Sequence, residues 1–125
     1  MKLLLDTHTL LWWLDDNPTL SSKAKKAISN EKNTVYVSAV NAWEIVIKKS
    51  LGKLEAPDNL QEVCVASNFI ELPISIKHTS IISQLPKYHD DPFDRLLIAQ
   101  AMSEGLTLVT RDARIVEYDV TIIES

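Results

Sequence analysis

Residues 91–112, DPFDRLLIAQAMSEGLTLVTRD, decide the fold because they encode a helix and then a strand with clear boundaries. Asp91 is a typical N-cap, Pro92 suits the first helical position, and Gly105 suits the residue just past the last turn. The apolar run from Leu106 to Thr110 is typical of a buried parallel strand. This stretch therefore predicts a helix that returns the chain into the middle of a parallel sheet.

Carboxylates occupy places in the chain where acidic residues are hard to explain as solvated surface. Asp6 follows a first apolar strand, and Asp112 follows the later strand in the same way. Asp94 lies in the first turn of the predicted helix. Glu44 lies inside an apolar helical run, so we expect it to be desolvated and to need a cation or a proton. These four residues are the candidate site.

Strands and helices alternate along the rest of the chain. Strands are expected at residues 2–5, 35–37, 70–74, 106–110 and 120–123, and helices at 10–14, 22–29, 39–50, 60–68, 76–85 and 92–104. This alternation predicts an α/β class, with three α/β/α layers and a central, mainly parallel sheet of four to five strands. The length of 125 residues predicts one domain over residues 1–125.

This architecture predicts that the four carboxylates converge. In a parallel sheet, the carboxyl ends of the strands and the N-termini of the following helices lie along one edge, where ligands bind. Asp6, Asp94 and Asp112 belong to that edge by position. Glu44 lies about 9 Å down its helix at 1.5 Å per residue, and its side chain tilts back toward the helix N-terminus.

Clustered carboxylates favour a hard divalent cation, because without one some of them would have to stay protonated at neutral pH. Mg²⁺ or Mn²⁺ suits oxygen ligands, whereas a zinc site would need more nitrogen and sulfur ligands than three His and one Cys readily supply. The predicted metal ligands are Asp6, Glu44, Asp94 and Asp112. Such a cation would acidify water and stabilise a departing oxygen, so a phosphate ester is the expected substrate.

Composition limits the alternatives. A formal net charge of −4 argues against a basic sheath for nucleic acid, although bound cations would invert the field at the site. No segment has the length and apolarity of a membrane span, and the N-terminal apolar stretch lacks a signal-peptide pattern. We therefore expect a cytoplasmic protein with no membrane contact.

Several other reactive or aromatic side chains are interpreted as structural. Cys64 is expected to be a small buried thiol, and His8 and His89 to be hydrogen-bonded structural groups. The tryptophans are expected in core packing or a dimer face rather than in base stacking: Trp12, Trp13 and Trp43. Three lysines are expected on a solvated face, with contact to RNA backbone as the alternative: Lys48, Lys49 and Lys53.

Taken together, these motifs resemble the PIN-domain family and, within it, the VapC-like toxins of type II toxin–antitoxin pairs. The matching stretches span most of the chain: LLLDTH at 3–8, LWWL at 11–14, WEI at 43–45, LGKL at 51–54, DPFDRLLIAQA at 91–101 and LTLVTRD at 106–112. By position, the acidic residues match the family's quartet, and Thr110 matches a hydroxyl residue that often supports it. Tyr88 replaces a His commonly found before His89.

The resemblance implies a ribonuclease that depends on Mg²⁺ or Mn²⁺ and hydrolyses RNA phosphodiester bonds at Asp6, Glu44, Asp94 and Asp112. It also implies a homodimer and a small antitoxin protein that covers the acidic site. Two alternatives stay open: a PIN-like binding module that has lost catalysis, and a receiver-like or phosphatase-like α/β domain. Against the second, His8 stands where a phosphatase-like pattern needs Asp, and Arg111 replaces the Lys of a receiver.

Overall fold

Five short strands alternate with seven helices over residues 1–125, all of which the computed structural model describes. The strands are β1 (Lys2–Leu5), β2 (Thr34–Ser38), β3 (Ile70–Leu72), β4 (Thr107–Thr110) and β5 (Ile122–Glu124). The helices are α1 (Thr7–Leu14), α2 (Ser22–Ser29), α3 (Ala39–Ser50), α4 (Leu60–Ala66), α5 (Ile76–Ile82), α6 (Pro92–Glu104) and α7 (Ala113–Val116).

All strand pairs are parallel, and the strand order is β3-β2-β1-β4-β5. The sheet grows in one direction from β1 to β3 and in the other from β4 to β5. The order therefore reverses between β1 and β4, and the crevice at their carboxyl ends is the expected ligand site. A receiver-like domain has the different order 2-1-3-4-5.

Apolar side chains fill both faces of the sheet. Leu4 and Leu108 face one core, which α6 completes with residues that include Leu97. Leu3 and Val109 face the other core, against helices α1 and α2. Helices thus cover both faces of a parallel five-stranded sheet, which confirms the predicted three-layer α/β/α fold. None of the helices is both long and apolar enough to cross a bilayer.

The main differences from the prediction come from two carboxylates that act as helix caps. Helix α1 begins at Thr7 rather than at residue 10, because the Asp6 side chain accepts a hydrogen bond from the Thr9 backbone N–H. Helix α7 was not predicted at all. Its four residues are too few for a hydrophobic period, and Asp112 caps it through the Arg114 backbone N–H.

Candidate active site

The four predicted carboxylates lie in one cleft of about 300 Å³ at the carboxyl ends of β1 and β4. A fifth carboxylate, the α6 cap Asp91, lines the same cleft. Three cationic side chains border it: Lys48, Arg111 and Arg114. The cleft is therefore acidic at its centre, and it lies where the strand order reverses.

Asp6 is held in place by hydrogen bonds from α1 and from β4, beside the point where the strand order reverses. It is 7% exposed, and its Oδ1 accepts a hydrogen bond from the Thr9 backbone N–H at 2.8 Å. Its Oδ2 accepts one from the Thr110 hydroxyl at 2.5 Å. Thr110, at the end of β4, is fully buried. Thr110 thus lies beside the carboxylate that it was predicted to support.

Asp94 and Asp112 share a histidine. His89 Nε2 lies 2.9 Å from Asp94 Oδ2 and 3.0 Å from Asp112 Oδ2. His89 Nδ1 accepts a hydrogen bond from the Asp91 backbone N–H at 3.2 Å, so the ring proton on Nε2 faces the two carboxylates. One ligand atom from each of His89, Asp94 and Asp112 lies within 4.8 Å of the others.

The interpretation of His89 as only a structural group is therefore incomplete, because its 3% exposed ring joins two of the site's acids. Its position two residues before the α6 cap was the available signal. His8 also lines the cleft, but it makes no hydrogen bond or ion pair with the carboxylates.

The loop that carries His89 is anchored from outside the cleft. The Tyr118 hydroxyl accepts hydrogen bonds from the backbone N–H groups of Tyr88 (3.1 Å) and His89 (3.0 Å) and donates one to Pro86 O at 2.6 Å. The Arg95 guanidinium donates to Pro86 O (3.0 Å) and His89 O (3.3 Å). Sequence reasoning missed both anchors, because each binds backbone groups, which carry no sequence signal, and Tyr118 lies 29 positions from His89 in the chain.

Glu44 is buried and has two partners of opposite kinds. Its Oε1 accepts a 2.5 Å hydrogen bond from the Thr7 hydroxyl, and its Oε2 forms an ion pair with Lys48 one turn along α3. Lys48 Nζ also lies 5.8 Å from the centroid of the Phe93 ring. The prediction that Lys48 belongs to a solvated face is wrong, because its ammonium group neutralises a buried carboxylate.

Crowding of the carboxylates changes how Asp94 titrates. Burial first, and then the negative charges of Asp91, Asp6 and Glu44, together raise the pKa of Asp94 to about 7, while His89 opposes them. Partial burial also acts to raise the pKa of Asp112, but hydrogen bonds from Arg114 outweigh it, so this pKa lies below its usual range. Asp94 is thus the carboxylate whose charge is least well compensated.

The donor set fits a hard divalent cation. Four carboxylates that supply only oxygen atoms are the ligands that Mg²⁺ and Mn²⁺ favour. A cation beside Asp94 would remove the repulsion that raises its pKa. Carboxylate oxygens of Asp94 and Asp112 lie within 4.8 Å of each other, close enough to share one cation. Asp6 and Glu44 each use one oxygen to accept a hydrogen bond from a threonine hydroxyl.

Of the remaining predicted residues, Cys64, Trp13 and Trp43 lie outside the acidic cleft, whereas Trp12 lines it. Burial raises the pKa of the half-buried Cys64 thiol, which agrees with an unreactive cysteine. Trp12 and Trp13 pack against the core on the α1 side, as expected. Trp43 is 55% exposed, so core packing is wrong for it and the dimer face stays a prediction.

Tyr118→Phe tests whether the Tyr118 hydroxyl stabilises the loop that carries His89. Removing the hydroxyl leaves two backbone N–H donors without their partner and removes one of the two donors to the Pro86 carbonyl, so we expect a loss of about 1–3 kcal/mol in the free energy of unfolding. Urea denaturation of the wild type and the variant measures this. Tyr36→Phe is the matched control, because no hydrogen bond involves the Tyr36 hydroxyl. Equal losses of unfolding free energy in both variants would show that the Tyr118 hydroxyl does not support the loop.

The sequence was also compared with known proteins. The model of the PIN domain family matches residues 3–120. Ribonuclease VapC22 from Mycobacterium tuberculosis is 30% identical over 117 residues, which cover 90% of this chain and 88% of that protein. The family model spans all the site residues described above, from Asp6 to Tyr118.

Solved structures agree on the fold. DNA-bound VapBC2 from Rickettsia felis superposes with a TM-score of 0.73 at 18% identity, covering 100% of this chain and 99% of that one. DNA-bound VapBC from Salmonella typhimurium gives 0.72 at 20% identity, covering 99% and 98%. FitAcB from Neisseria gonorrhoeae gives 0.67 at 22% identity, covering 97% and 96%. This chain therefore belongs to the PIN-domain family and is VapC-like within it.

Proposed function

We propose that this protein is an endoribonuclease that uses Mg²⁺ or Mn²⁺ to hydrolyse RNA phosphodiester bonds. The observation that carries the proposal is the partly buried Asp94 carboxylate, whose pKa is raised to about 7 by burial and by three neighbouring carboxylates in one cleft. Perturbed acids grouped in a cleft are typical of functional sites. The relative VapC22 bears the name ribonuclease, which favours RNA as the substrate.

In this proposal Asp6, Glu44, Asp94 and Asp112 hold the cation. A bound Mg²⁺ or Mn²⁺ would supply Lewis-acid chemistry: it would neutralise phosphate charge and make water more acidic. Thr110 and Thr9 fix the orientation of Asp6 through their hydrogen bonds to its two oxygens.

Other side chains of the cleft have roles in this proposal as well. The His89 Nε2 proton keeps Asp94 and Asp112 at a fixed separation. Lys48 and Arg114 already pair with Glu44 and Asp112, so Arg111 is the bordering cation that offers positive charge to a phosphate next to the bond that is cut.

Cleavage of a random RNA pool tests the proposal. Purified protein free of any partner would be incubated with Mg²⁺, Mn²⁺ or EDTA, and the fragment ends would be sequenced. We expect cutting with either cation and none in EDTA, with activity restored when the cation is added back. Well-folded protein that cuts no RNA with either cation would favour the alternative of a binding module without catalysis.

The raised pKa of Asp94 predicts a pH dependence of stability in the metal-free protein. A carboxyl group whose pKa is higher in the folded state than its ordinary 3.8 contributes stability below pH 4, and this contribution is lost as the pH rises through about 7. One pKa unit is worth about 1.4 kcal/mol, and solvent contact reduces the effect, so we expect a loss of about 2 kcal/mol between pH 5 and pH 8.

Urea denaturation in EDTA at several pH values measures this loss. Asp94→Asn is the matched comparison, because it has no charge to desolvate at any pH. The gap between the two stability curves should open in favour of the variant as the pH rises. Curves that stay parallel from pH 5 to pH 8 would show that the pKa of Asp94 is not raised in the folded protein.

We also propose that a small antitoxin protein binds this chain, and that the chain forms a homodimer. Support for the antitoxin comes from the structural neighbours, which include a toxin–antitoxin complex from Klebsiella pneumoniae at a TM-score of 0.64.

The exposed apolar side chains Trp43, Val46 and Leu51, on α3 and at its C-terminal end, favour a surface that another chain covers. Light scattering after size exclusion should give twice the 14.1 kDa chain mass, and a monomer at all concentrations would reject the homodimer.

A further inference from the structure

We propose that His8, Trp12 and Arg111 form a stacked column on one rim of the cleft, and that its outer ring binds an unpaired base of the RNA. The proposal deepens the proposed function, on which it rests, by assigning a subsite for the nucleotide next to the scissile phosphate. The ligand class is therefore single-stranded RNA, recognised by stacking.

The Trp12 ring contacts both of the other side chains. The centroids of the His8 and Trp12 rings lie 5.8 Å apart, with 30° between the ring planes. The Arg111 guanidinium carbon lies 4.3 Å from the centroid of the Trp12 ring, in cation–π geometry. All three residues line the cleft that holds the carboxylates. The column is thus a wall of the acidic cleft and not a separate surface feature.

The column is fixed to the same elements that carry the acids. His8 and Trp12 lie one turn apart on α1, the helix that Asp6 caps. Arg111 directly precedes Asp112, and its Nη2 donates to Thr19 O at 2.6 Å and to Ser125 O at 2.5 Å. A platform held in this way needs little ordering when a ligand binds, which favours affinity.

Two observations favour a ligand-binding role for the column over a purely structural one. The outer ring, His8, is exposed and makes no hydrogen bond, so the fold does not need it for packing. The Arg111 guanidinium donates to Thr19 O and Ser125 O and forms no ion pair with a side-chain carboxylate, so a cationic group lies behind the Trp12 ring beside the cleft. An exposed aromatic face beside a cationic side chain is the combination that binds single-stranded nucleic acid.

Stacking also explains why the base should be unpaired. Bases in an RNA duplex already stack on one another, whereas those of a single strand can be splayed out onto aromatic side chains. Each base stacked on an aromatic ring strengthens binding by roughly tenfold or more. The column therefore predicts a preference for unpaired RNA at the cutting site.

The test uses binding by the Asp94→Asn protein in Mg²⁺, so that cleavage does not interfere. Fluorescence anisotropy would compare three fluorescein-labelled probes: a random 12-nucleotide RNA, a ribose-phosphate oligomer of the same length without bases, and an RNA duplex. We expect the random RNA to bind about tenfold more tightly than either other probe. Adding His8→Ala should remove most of this advantage, and adding His8→Phe should retain it.

Equal binding of the random RNA and the base-free oligomer would overturn the proposal, as would binding that His8→Ala leaves unchanged. Loss of binding in His8→Phe as well as in His8→Ala would overturn it too, because it would assign the effect to imidazole hydrogen bonding rather than to stacking. A failure of the nuclease proposal is distinguishable: the wild type would cut no RNA, while the dependence of binding on bases and on His8 would remain.

Discussion

The Asp94→Asn protein is expected to lose cation-dependent RNA cleavage by about three orders of magnitude or more while keeping its fold. The substitution preserves size but removes the charge of a proposed cation ligand. It should not harm folding, because Asp94 is the carboxylate whose charge is most strongly opposed by its surroundings. Asn also keeps the side-chain oxygen that faces the His89 ring.

Initial rates on the RNA pool measure the loss of cleavage, and circular dichroism measures whether the fold is kept. Asp15→Asn is the matched control: it makes the same change of charge at an exposed position outside the cleft. The control should retain the wild-type rate. Cleavage by Asp94→Asn at the wild-type rate would remove Asp94 from the site, and the placement of the cation would have to be reconsidered.

Saturating Mg²⁺ or Mn²⁺ is expected to raise the melting temperature of the wild type by about 10 °C at pH 8. A ligand at 100 times its Kd stabilises the native state by about 2.7 kcal/mol, and for a domain of this size each kcal/mol shifts the melting temperature by a few degrees. The gain should be large because the cation also relieves the repulsion among Asp6, Glu44 and Asp94.

Differential scanning calorimetry of the wild type and Asp94→Asn, with cation or with EDTA, measures this shift. The variant should start from a higher melting temperature in EDTA and gain much less from the cation. An identical gain in both proteins would show that the cation binds somewhere other than beside Asp94.

The fold was predictable because its main elements carry strong local signals. Helix α6 was predicted with its cap, its proline and its terminal glycine, and the structure places Asp91, Pro92 and Gly105 in those roles. Strand β4 follows as expected. Helix α7 was missed because its four residues are held by one cap, Asp112, and by tertiary packing of Ile115, which no local pattern reports.

The convergence of the carboxylates was predictable for a similar reason, since Asp6, Asp94 and Asp112 interrupt apolar patterns or mark element boundaries. Their partners were not. The contact of His89 with two acids depends on a loop that Tyr118 anchors from 29 positions away in the chain. The pairing of Lys48 with Glu44 competes with solvation of the lysine, and only the burial of Glu44 decides the outcome.

Anomalous diffraction from crystals grown with Mn²⁺ would show whether these carboxylates bind a divalent cation. We expect a single strong anomalous peak, or a close pair of peaks, within coordination distance of Asp94 and Asp112 in the cleft. Crystals of protein that cuts RNA in the same Mn²⁺ concentration but shows no peak in the cleft, or shows one elsewhere, would contradict the account.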